Sequence, residues 1–550
     1  MILIVLIVLG IPIGVMIYVY LQNQDALNAI KNNFGMKPEF DERRQMKSVE
    51  EYHRVFPSES IIDDTTWNDL DMDAIYLSIN NTQSTMGETV LYSHLRNQGE
   101  FNRDKLESAV KYFTENPEKR YDIQKNLNIV DKNDNAEVLT SLTINHKAFN
   151  VPYGSYSIMR IAMILGIVLL FVRVEIGLPL IVLTYISNYL LNEKFTKLVS
   201  YRIESLSHIM SMIRAAKKFN NTDELVSFVD SDAFKKSLKK FGHLNAIYSF
   251  ALPKSSIGGT MEGLFNDLVN VFFLITPLAF RKVSSLIDEN VDDLLVIYDF
   301  IGYLDMSIAI ASYRKSLTHY CHIEFDESLK APDVVNVKHP LIEDVAVGNT
   351  IRLPQYNIIT GSNASGKSTF VRAVTINALL GQRINTCTAE SFAMRPSFII
   401  TSMAIRDDVE SGDSYFVSET KSIKRILENV SIQDYSLVVI DEILKGTNTI
   451  ERISASASVL NALSKEACCV LAATHDIELT EMLSDYYTNS HFRETITDHE
   501  ISFDYIIKEG PSNTRNAIKL LEIIGYDKEL IDLANELAQE FKENRKWKKL

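Results

Sequence analysis

The chain has 550 residues, enough for several domains, and its 46% hydrophobic content supplies material for sizeable cores. A formal net charge of -15 argues against a protein dominated by contacts with nucleic-acid phosphates, so any such contact has to come from a local basic surface. The four cysteines form no C-x-x-C pair, which indicates free thiols in a reducing compartment rather than a metal site.

The start of the chain is apolar. Residues 1–21 read MILIVLIVLGIPIGVMIYVYL and contain no charged side chain. About 20 such residues cross the hydrocarbon core of a bilayer. The stretch has neither the basic start nor the small-residue cleavage site of a secretory signal, so it predicts an uncleaved transmembrane anchor. A signal peptide and a buried helix are the alternatives. The polar residues 22–66 predict a linker.

Two long segments, 67–154 and 193–329, carry apolar residues at helical spacing with charged residues between them. Between them lies an apolar block, 156–191, which is interrupted by Arg-Val-Glu at 173–175. Each half of the block has about 17 to 19 residues, near the lower limit for crossing a bilayer. The sequence therefore predicts a transmembrane hairpin over 155–192, inserted into one helical domain.

A shorter apolar run, 269–280, predicts a buried helix, with a further membrane segment as the alternative. Basic residues follow the hairpin directly, Lys194 and Lys197 among them, and the positive-inside rule places them in the cytoplasm. We therefore expect Met1 to lie outside the membrane and everything after Asn192 to lie inside.

The most informative stretch is 361–369, GSNASGKST, which fits G-x-x-x-x-G-K-[ST]. A strand-like run precedes it and a helical apolar pattern follows it. In such a loop the glycines let backbone N–H groups surround a polyphosphate, the lysine reaches the outer phosphates and the serine hydroxyl ligates magnesium. The loop predicts binding of ATP and Mg²⁺. The residues assigned to the nucleotide are Gly361, Ser362, Asn363, Ala364, Ser365, Gly366, Lys367, Ser368 and Thr369.

Two later strand-like runs end in polar residues. The run 437–440 is followed by Asp441 and Glu442, and the run 468–473 is followed by Thr474 and His475. The first acid can hold the magnesium, and the second can polarise the attacking water. Each feature alone is common at a protein surface, but their order after the loop favours a catalytic interpretation, with His475 sensing the terminal phosphate.

At these residues the chain resembles the ATPase domain of the MutS family. The run 441–449 resembles its D-E-I-x-x-G-T-x-[ST] motif. Within the ATPase domain, 360–372 resembles the family's T-G-x-N-x-x-G-K-S-T-x-x-R loop, 473–475 resembles its A-T-H, and 414–419 resembles its S-T-F-x-x-E segment, the counterpart of an ABC signature. In the helical core, 82–95 resembles the opening T-x-x-x-M-G-x-x-x-L text and 303–305 resembles the closing stretch. Residues 503–541 resemble the C-terminal dimerisation region.

The resemblance implies an α/β P-loop ATPase domain of the ABC/MutS type over 330–515, and an all-α MutS core-like domain interrupted by transmembrane helices. It also implies a helical dimerisation region with a basic tail over 516–550. In functional terms it implies that Lys367, Glu442 and His475 are catalytic, with Glu442 as the general base, and that Ser368 and Asp441 hold Mg²⁺. Ser414 would reach the γ-phosphate bound to the partner in a homodimer, in which ATP changes the geometry of helical levers.

The sequence also departs from the repair members of the family. We expect no mismatch-reading domain, because the segment before Trp67 is too short for one, and we find neither a Phe-x-Glu wedge nor an Smr-type nuclease module. Lys445 replaces the usual arginine, and Glu451 with Arg452 replaces Tyr-Asp-Gly. These differences favour a membrane-anchored ATPase over a mismatch reader.

The first hypothesis is therefore a MutS-like ATPase of the cytoplasmic membrane, a dimeric clamp whose protein client is unknown. The alternatives are a protein of mismatch repair or recombination that binds mismatched or branched DNA, and an ABC-type transport ATPase. DNA stays open as a partner, because the basic residues of 195–254 can contact phosphates or simply face solvent.

Overall fold

A computed structural model describes residues 24–25, 27–38, 46–55, 60–130, 132, 153–242, 244, 269–342, 345–362, 365–403, 415–496, 501–511, 517–544, 547 and 549–550. The expected anchor over 1–21 lies outside the described residues. The chain forms two compact units. The helical unit comprises Met1–Pro57, Ile79–His94 and Phe101–Ser316, and the sheet unit comprises Ser58–Ser78, Leu95–Glu100 and Leu317–Leu550.

This division differs from the domain boundaries drawn from the sequence. Residues 67–78 were assigned to the helical domain, but they belong to the sheet unit together with 58–66 of the expected linker. The sheet unit also begins at Leu317 rather than at residue 330. Helical spacing identifies a helix but does not say which core its apolar face joins, so the two divisions differ at these short helices.

Among the described residues up to 316, the helices with defined ends are α1 (Lys47–Val55), α2 (Asp64–Asp69), α3 (Met72–Ile79), α4 (Thr85–Arg96), α5 (Arg103–Glu115), α6 (Pro117–Val130), α7 (Tyr153–Val172), α8 (Val174–Phe219), α9 (Asp223–Val226), α10 (Ser231–Lys240), α11 (Ile275–Asp288) and α12 (Val291–Ser316). Local signals begin several of them. The Asn102 side chain caps α5 by accepting from Lys105 N, and Pro117 opens α6, where the missing N–H costs nothing.

Helices α7 and α8 form a helical hairpin over the residues where the sequence predicts a transmembrane hairpin. Both Tyr153–Val172 and the first part of α8, Val174–Val199, are long and apolar enough to cross a membrane, and only 17% of each apolar window is buried. They pack closely, since a Cβ on Gly177 would lie 2.4 Å from the backbone nitrogen of Leu170. Helix α12 has a similar length and hydropathy, but 78% of its window is buried. Length and composition therefore identify three candidates among the described residues, and only α7 and α8 expose their apolar side chains.

The core of the helical unit joins α4 to α12. Asp305 of α12 is fully buried and accepts hydrogen bonds from Gln83 N, Ser84 N and Ser84 Oγ at 2.6 to 3.0 Å. A Cβ on Gly87 would lie 2.3 Å from Asp305 Oδ2, and a Cβ on Gly302 would lie 2.4 Å from Val90 Cγ2. The two glycines thus allow the close approach of α4 and α12. The predicted buried helix within 269–280 corresponds to the start of α11, where Pro277, Ala279 and Phe280 are buried.

The strands of the sheet unit are β1 (Ile323–Phe325), β2 (Asp333–Val337), β3 (Asn349–Arg352), β4 (Tyr356–Thr360), β5 (Ser391–Met394), β6 (Phe398–Ser402), β7 (Ser436–Asp441), β8 (Cys468–Ala473), β9 (Thr488–His491), β10 (Glu494–Ile496), β11 (Ile501–Phe503) and β12 (Lys508–Glu509). Its later helices are α13 (Lys367–Ile384), α14 (Tyr415–Val430), α15 (Thr449–Leu463), α16 (Glu478–Met482), α17 (Ala517–Ile524) and α18 (Lys528–Asn544).

The main sheet has the order β12-β9-β4-β8-β7-β6, and all its pairs are parallel except that of β12 with β9. Strands β7 and β8 are almost continuously buried, as expected for a parallel sheet covered on both faces. Asp441 pairs with Ala473 in the register of β7 and β8. The ends of β4, β7 and β8 therefore meet at one edge of the sheet. A smaller sheet has the order β1-β5-β2-β3.

The outer edge of the main sheet, β6, is completed by side chains from distant parts of the sequence. Gln98 forms two hydrogen bonds with Ile399, from Nε2 to the carbonyl at 3.1 Å and from Ile399 N to Oε1 at 2.7 Å. Asp69 accepts from Thr401 Oγ1 at 2.7 Å and from Met403 N at 2.9 Å. Residues of 58–78 and 95–100 thus satisfy backbone groups that an edge strand otherwise leaves open to another strand.

Candidate active site

The loop between β4 and α13 has a backbone that only glycine accommodates at two positions. Gly361 has φ +143° and Gly366 has φ +101°. A Cβ on Gly361 would lie 2.9 Å from both Phe492 O and Ser365 Oγ. The Ser365 hydroxyl closes the loop internally by donating to Ser362 O at 2.7 Å. The loop therefore turns tightly into the N-terminus of α13, where free backbone N–H groups favour an anion.

Lys367 is the first residue of α13, and its side chain folds back over the loop. Its ammonium donates to Gly361 O at 2.7 Å and to Ser362 O at 3.0 Å, and it lies 3.5 Å from His475 Nδ1. Burial lowers the pKa of Lys367, although the nearby Asp441 and Glu442 oppose this shift. A buried positive charge therefore stands at the loop where phosphate oxygens are expected.

Asp441 ends β7 and faces Ser368 in the first turn of α13. Burial raises the pKa of Asp441, and a hydrogen bond with the Ser368 hydroxyl works against this shift. Its Oδ1 is buried and has no hydrogen-bond partner among the described residues. A hydroxyl beside an unpaired carboxylate oxygen suits Mg²⁺, which prefers oxygen ligands and usually takes only one or two from the protein. The described residues contain no cluster of three or more His, Cys, Asp or Glu that could hold a metal ion.

Glu442 lies one residue beyond the strand and is held by two basic side chains. One carboxylate oxygen pairs with His475 Nε2 and the other with Lys445 Nζ. The hydrogen bond with His475 is the main reason why the pKa of Glu442 falls to about 2. Burial opposes this shift, and the Lys445 hydrogen bond adds to it. Glu442 N also donates to Ala473 O at 2.9 Å. The carboxylate is thus ionised at neutral pH, and it is fixed to β8.

His475 connects Glu442 to the loop, because its Nδ1 lies 3.0 Å from Gly361 O. The neighbouring Asp476 forms a two-pronged ion pair with Arg452, at 2.9 Å to Nε and 2.6 Å to Nη2. This pair ties the histidine segment to α15. In the sequence, Arg452 is only a departure from a family pattern. Its ion pair with Asp476 could not be predicted, because the two residues are 24 positions apart and no local motif links them.

The structure brings together most of the residues that the sequence assigned to the site. Gly361, Ser362, Ser365, Gly366, Lys367 and Ser368 form the loop and the start of α13, and Asp441, Glu442 and His475 lie beside them. Thr369 is exposed in the first turn of α13. The remaining assignments, Asn363, Ala364 and Ser414, lie outside the described residues.

Comparison with known proteins finds relatives of the region that contains this site. Residues 357–542 match the family model described as MutS domain V. The DNA mismatch repair protein MutS of Petrotoga mobilis is 29% identical over 272 residues, which cover 48% of this chain and 33% of that protein. The MutS protein of Thermotoga petrophila is 30% identical over 282 residues, which cover 48% of this chain and 34% of that protein. The MutS protein of Pseudothermotoga lettingae is 32% identical over 269 residues, which cover 47% of this chain and 33% of that protein. The matched region therefore spans about a third of these relatives. The matched region contains the loop, the acidic strand end and the histidine, so this part of the chain is similar to MutS domain V.

Proposed function

We propose that the sheet unit binds ATP with Mg²⁺ and hydrolyses it to ADP and phosphate, and that the protein acts as a dimeric clamp anchored in the cytoplasmic membrane. One observation carries the enzymatic part of this proposal. Three strand ends place the loop with Lys367, the Ser368–Asp441 pair and the Glu442–His475 pair at the same edge of one sheet. These are the groups that phosphoryl transfer to water requires.

The loop residues bind and orient the phosphates. Lys367 exchanges the carbonyl oxygens of Gly361 and Ser362 for phosphate oxygens, which carry more negative charge and hold the ammonium more strongly. Backbone N–H groups at the start of α13 point at the same phosphates. Ser368 and Asp441 hold the metal ion, which neutralises charge on the phosphates when it is bound. The expected result is tight, magnesium-dependent binding of ATP.

Glu442 accepts the proton of the attacking water. The water oxygen forms a bond to the γ-phosphorus, the bond from that phosphorus to the bridging oxygen breaks, and the water proton passes to the Glu442 carboxylate. A carboxylate whose pKa is near 2 is a weak base, so hydrolysis requires that His475 or Lys445 first moves away from Glu442. The basicity of Glu442 thus depends on the position of its two partners, which gives ATP-bound protein a controllable lifetime.

The membrane part of the proposal rests on α7 and α8. Their apolar side chains are exposed in the helical unit, for example Phe171 at 85% and Leu183 at 65%. Contiguous exposed apolar surface of this length suits lipid better than water. The basic Lys194 and Lys197 follow the apolar part of α8, and this supports a cytoplasmic location for the residues after the hairpin. The apolar residues 1–21 supply a further anchor.

DNA binding is the second candidate function. The relatives are named DNA mismatch repair proteins, which favours this candidate over a transport ATPase of the ABC type. Helix α10 exposes Lys235, Lys236 and Lys239, which could contact backbone phosphates. Other basic side chains of this region already have protein acceptors. Lys240 pairs with Asp293, and Lys217 donates to the carbonyls of Phe241 and Gly242.

Hydrolysis by the purified full-length protein in nanodiscs tests the enzymatic part of the proposal and the DNA-binding candidate. We expect magnesium-dependent ATP hydrolysis by the wild type, a loss of about 100-fold or more in Glu442→Gln, and no change in the exposed control Glu481→Gln. Homoduplex, mismatched and four-way-junction DNA are then added at physiological salt. Stimulation by mismatched or branched DNA beyond that by homoduplex supports the DNA-binding candidate, and equal rates with every DNA favour a protein or lipid client. A wild type without hydrolysis contradicts the proposed enzyme.

A further inference from the structure

The turn that follows β7 has an unusual backbone. Glu442 has φ +60° and Leu444 has φ +54°, so two non-glycine residues of this turn adopt left-handed conformations. Such conformations are uncommon for residues with a Cβ and cost of the order of 1 kcal/mol or more each. They persist where surrounding contacts hold them. Because Glu442 is itself one of these residues, the backbone of the turn sets the direction of its carboxylate.

One buried carboxylate holds this turn. Glu419 of α14 is only 4% exposed, and its Oε1 accepts a hydrogen bond from Lys445 N at 2.9 Å. Burial raises the pKa of Glu419, and the backbone N–H groups of Lys445, Gly446 and Leu444 oppose the shift by favouring the charged form. The second oxygen, Oε2, is buried with no hydrogen-bond partner among the described residues. The carboxylate therefore faces three successive amides of the turn.

We propose that Glu419 is a positioning residue for ATP hydrolysis, whose carboxylate fixes the left-handed turn 442–446 and thereby aims Glu442 and Lys445. This inference rests on the proposed function and names a residue for which that function gives no role. The hydrogen bond of Glu419 goes to the turn, and among the described residues none joins it to Lys367, Ser368 or Asp441. Loss of the carboxylate therefore disturbs the base and leaves the phosphate and magnesium groups in place.

The geometry also makes the replacement selective. Glutamine has the same shape as glutamate but carries no charge, so the amides of the turn face a neutral oxygen, which accepts hydrogen bonds more weakly than a carboxylate. The turn is then held less firmly while the packing of α14 is kept. A carboxylate displaced by about 1 Å from the attacking water reduces the rate by about 10- to 100-fold, without an equal effect on ATP affinity.

The test compares wild type, Glu419→Gln and Glu428→Gln, a matched change at an exposed position of the same helix, in full-length protein in nanodiscs. We expect kcat to fall by about 10- to 100-fold in Glu419→Gln. We expect KM for ATP, the affinity for a non-hydrolysable ATP analogue and the melting temperature to match those of Glu428→Gln. In the Glu442→Gln background, Glu419→Gln should produce no further loss, because it acts through Glu442.

Each other outcome overturns the inference. A wild-type kcat in Glu419→Gln shows that the turn holds without the carboxylate. A parallel fall of analogue affinity and melting temperature shows that Glu419 only stabilises the fold. A further loss in the Glu442→Gln background shows that it acts elsewhere. Should Glu419→Gln not fold, Glu419→Asp, which keeps the charge but withdraws it by one methylene, is measured in the same way. A wild type that binds the analogue but hydrolyses no ATP rejects the proposed function, and this inference with it, before the variants are compared.

Discussion

Replacing Gly87 by alanine should destabilise the helical unit, although the same change stabilises most helices. Gly87 lies in α4, where a new Cβ would sit 2.3 Å from Asp305 Oδ2 and 2.6 Å from Asp305 Cγ. The Asp305 carboxylate cannot move aside freely, because it accepts from Gln83 N and from both Ser84 N and Ser84 Oγ. The clash must therefore either separate α4 from α12 or break bonds to a buried carboxylate.

The size of the effect follows from three contributions. Overpacking of a buried contact costs about 2 kcal/mol. Loss of one hydrogen bond to a charged group costs about 2 kcal/mol more. The higher helix propensity of alanine returns about 1 kcal/mol. We therefore expect Gly87→Ala to lower the free energy of unfolding of the helical unit by about 3 kcal/mol. Gly154→Ala is the matched control, since Gly154 lies in α7 and a Cβ there meets no atom within 4 Å.

The two tryptophans make the assay specific for one unit. Trp67 and Trp547 both belong to the sheet unit, so tryptophan fluorescence follows that unit, while far-ultraviolet circular dichroism follows the helices of both units. A transition that is lowered in circular dichroism but not in fluorescence therefore reports the helical unit. At about 2–4 °C per kcal/mol, Gly87→Ala should lower the melting transition seen by circular dichroism by about 6–12 °C. Gly154→Ala should leave that transition unchanged or raise it. Equal transitions for the two variants would refute the argument that the Asp305 carboxylate is immobile.

Two further predictions concern the sheet unit. Gln98→Ala removes both hydrogen bonds that complete β6 at Ile399, so it should lower the unfolding free energy by about 2 kcal/mol and the melting transition seen by tryptophan fluorescence, whereas the exposed control Gln539→Ala should not. Glu442 has its pKa lowered to about 2 from an ordinary value of 4.5, so its ion pairs stabilise the fold above pH 4.5, and this contribution is lost as the pH falls through 2. His475 is the main cause of this shift, so His475→Ala should be less stable than wild type at neutral pH, as measured by fluorescence-monitored denaturation. This difference in stability should vanish as the pH falls through 2. A difference that stays constant with pH would contradict the conclusion that His475 lowers the pKa of Glu442.

The parts of the site that could be predicted from the sequence are those that a short motif defines. The loop needs glycine at Gly361 and Gly366 because their φ values are positive, and it needs a lysine at the first helical residue. These requirements are local, so they appear as letters at fixed spacing. The acidic strand end and the histidine could be read for the same reason, since each follows a buried apolar run. The helical hairpin was readable from length and hydropathy.

The contacts that could not be predicted join residues far apart in the sequence. Gln98 and Ile399 are separated by 301 positions, and neither residue type is unusual at its place. No periodicity indicates that 58–78 supports β6, so these residues were divided between a linker and the helical domain. The role of Glu419 was hidden in a similar way. The motif over 414–419 that contains Glu419 can be recognised, but its partner amides lie in a turn whose left-handed residues, Glu442 and Leu444, are not glycines, so the sequence does not reveal the turn.

The loop and the base share an acceptor, and this connects nucleotide binding to catalysis in the proposed function. Gly361 O accepts from Lys367 Nζ at 2.7 Å and lies 3.0 Å from His475 Nδ1, while the other nitrogen of His475 pairs with Glu442. Phosphate oxygens that draw Lys367 away from Gly361 O change the contacts of His475 Nδ1. That change alters the hydrogen bond between His475 Nε2 and Glu442. Weakening of the His475–Glu442 bond raises the pKa of the carboxylate and makes it a stronger base. Because Glu419 fixes the turn independently, Glu442 can become more basic without losing its direction.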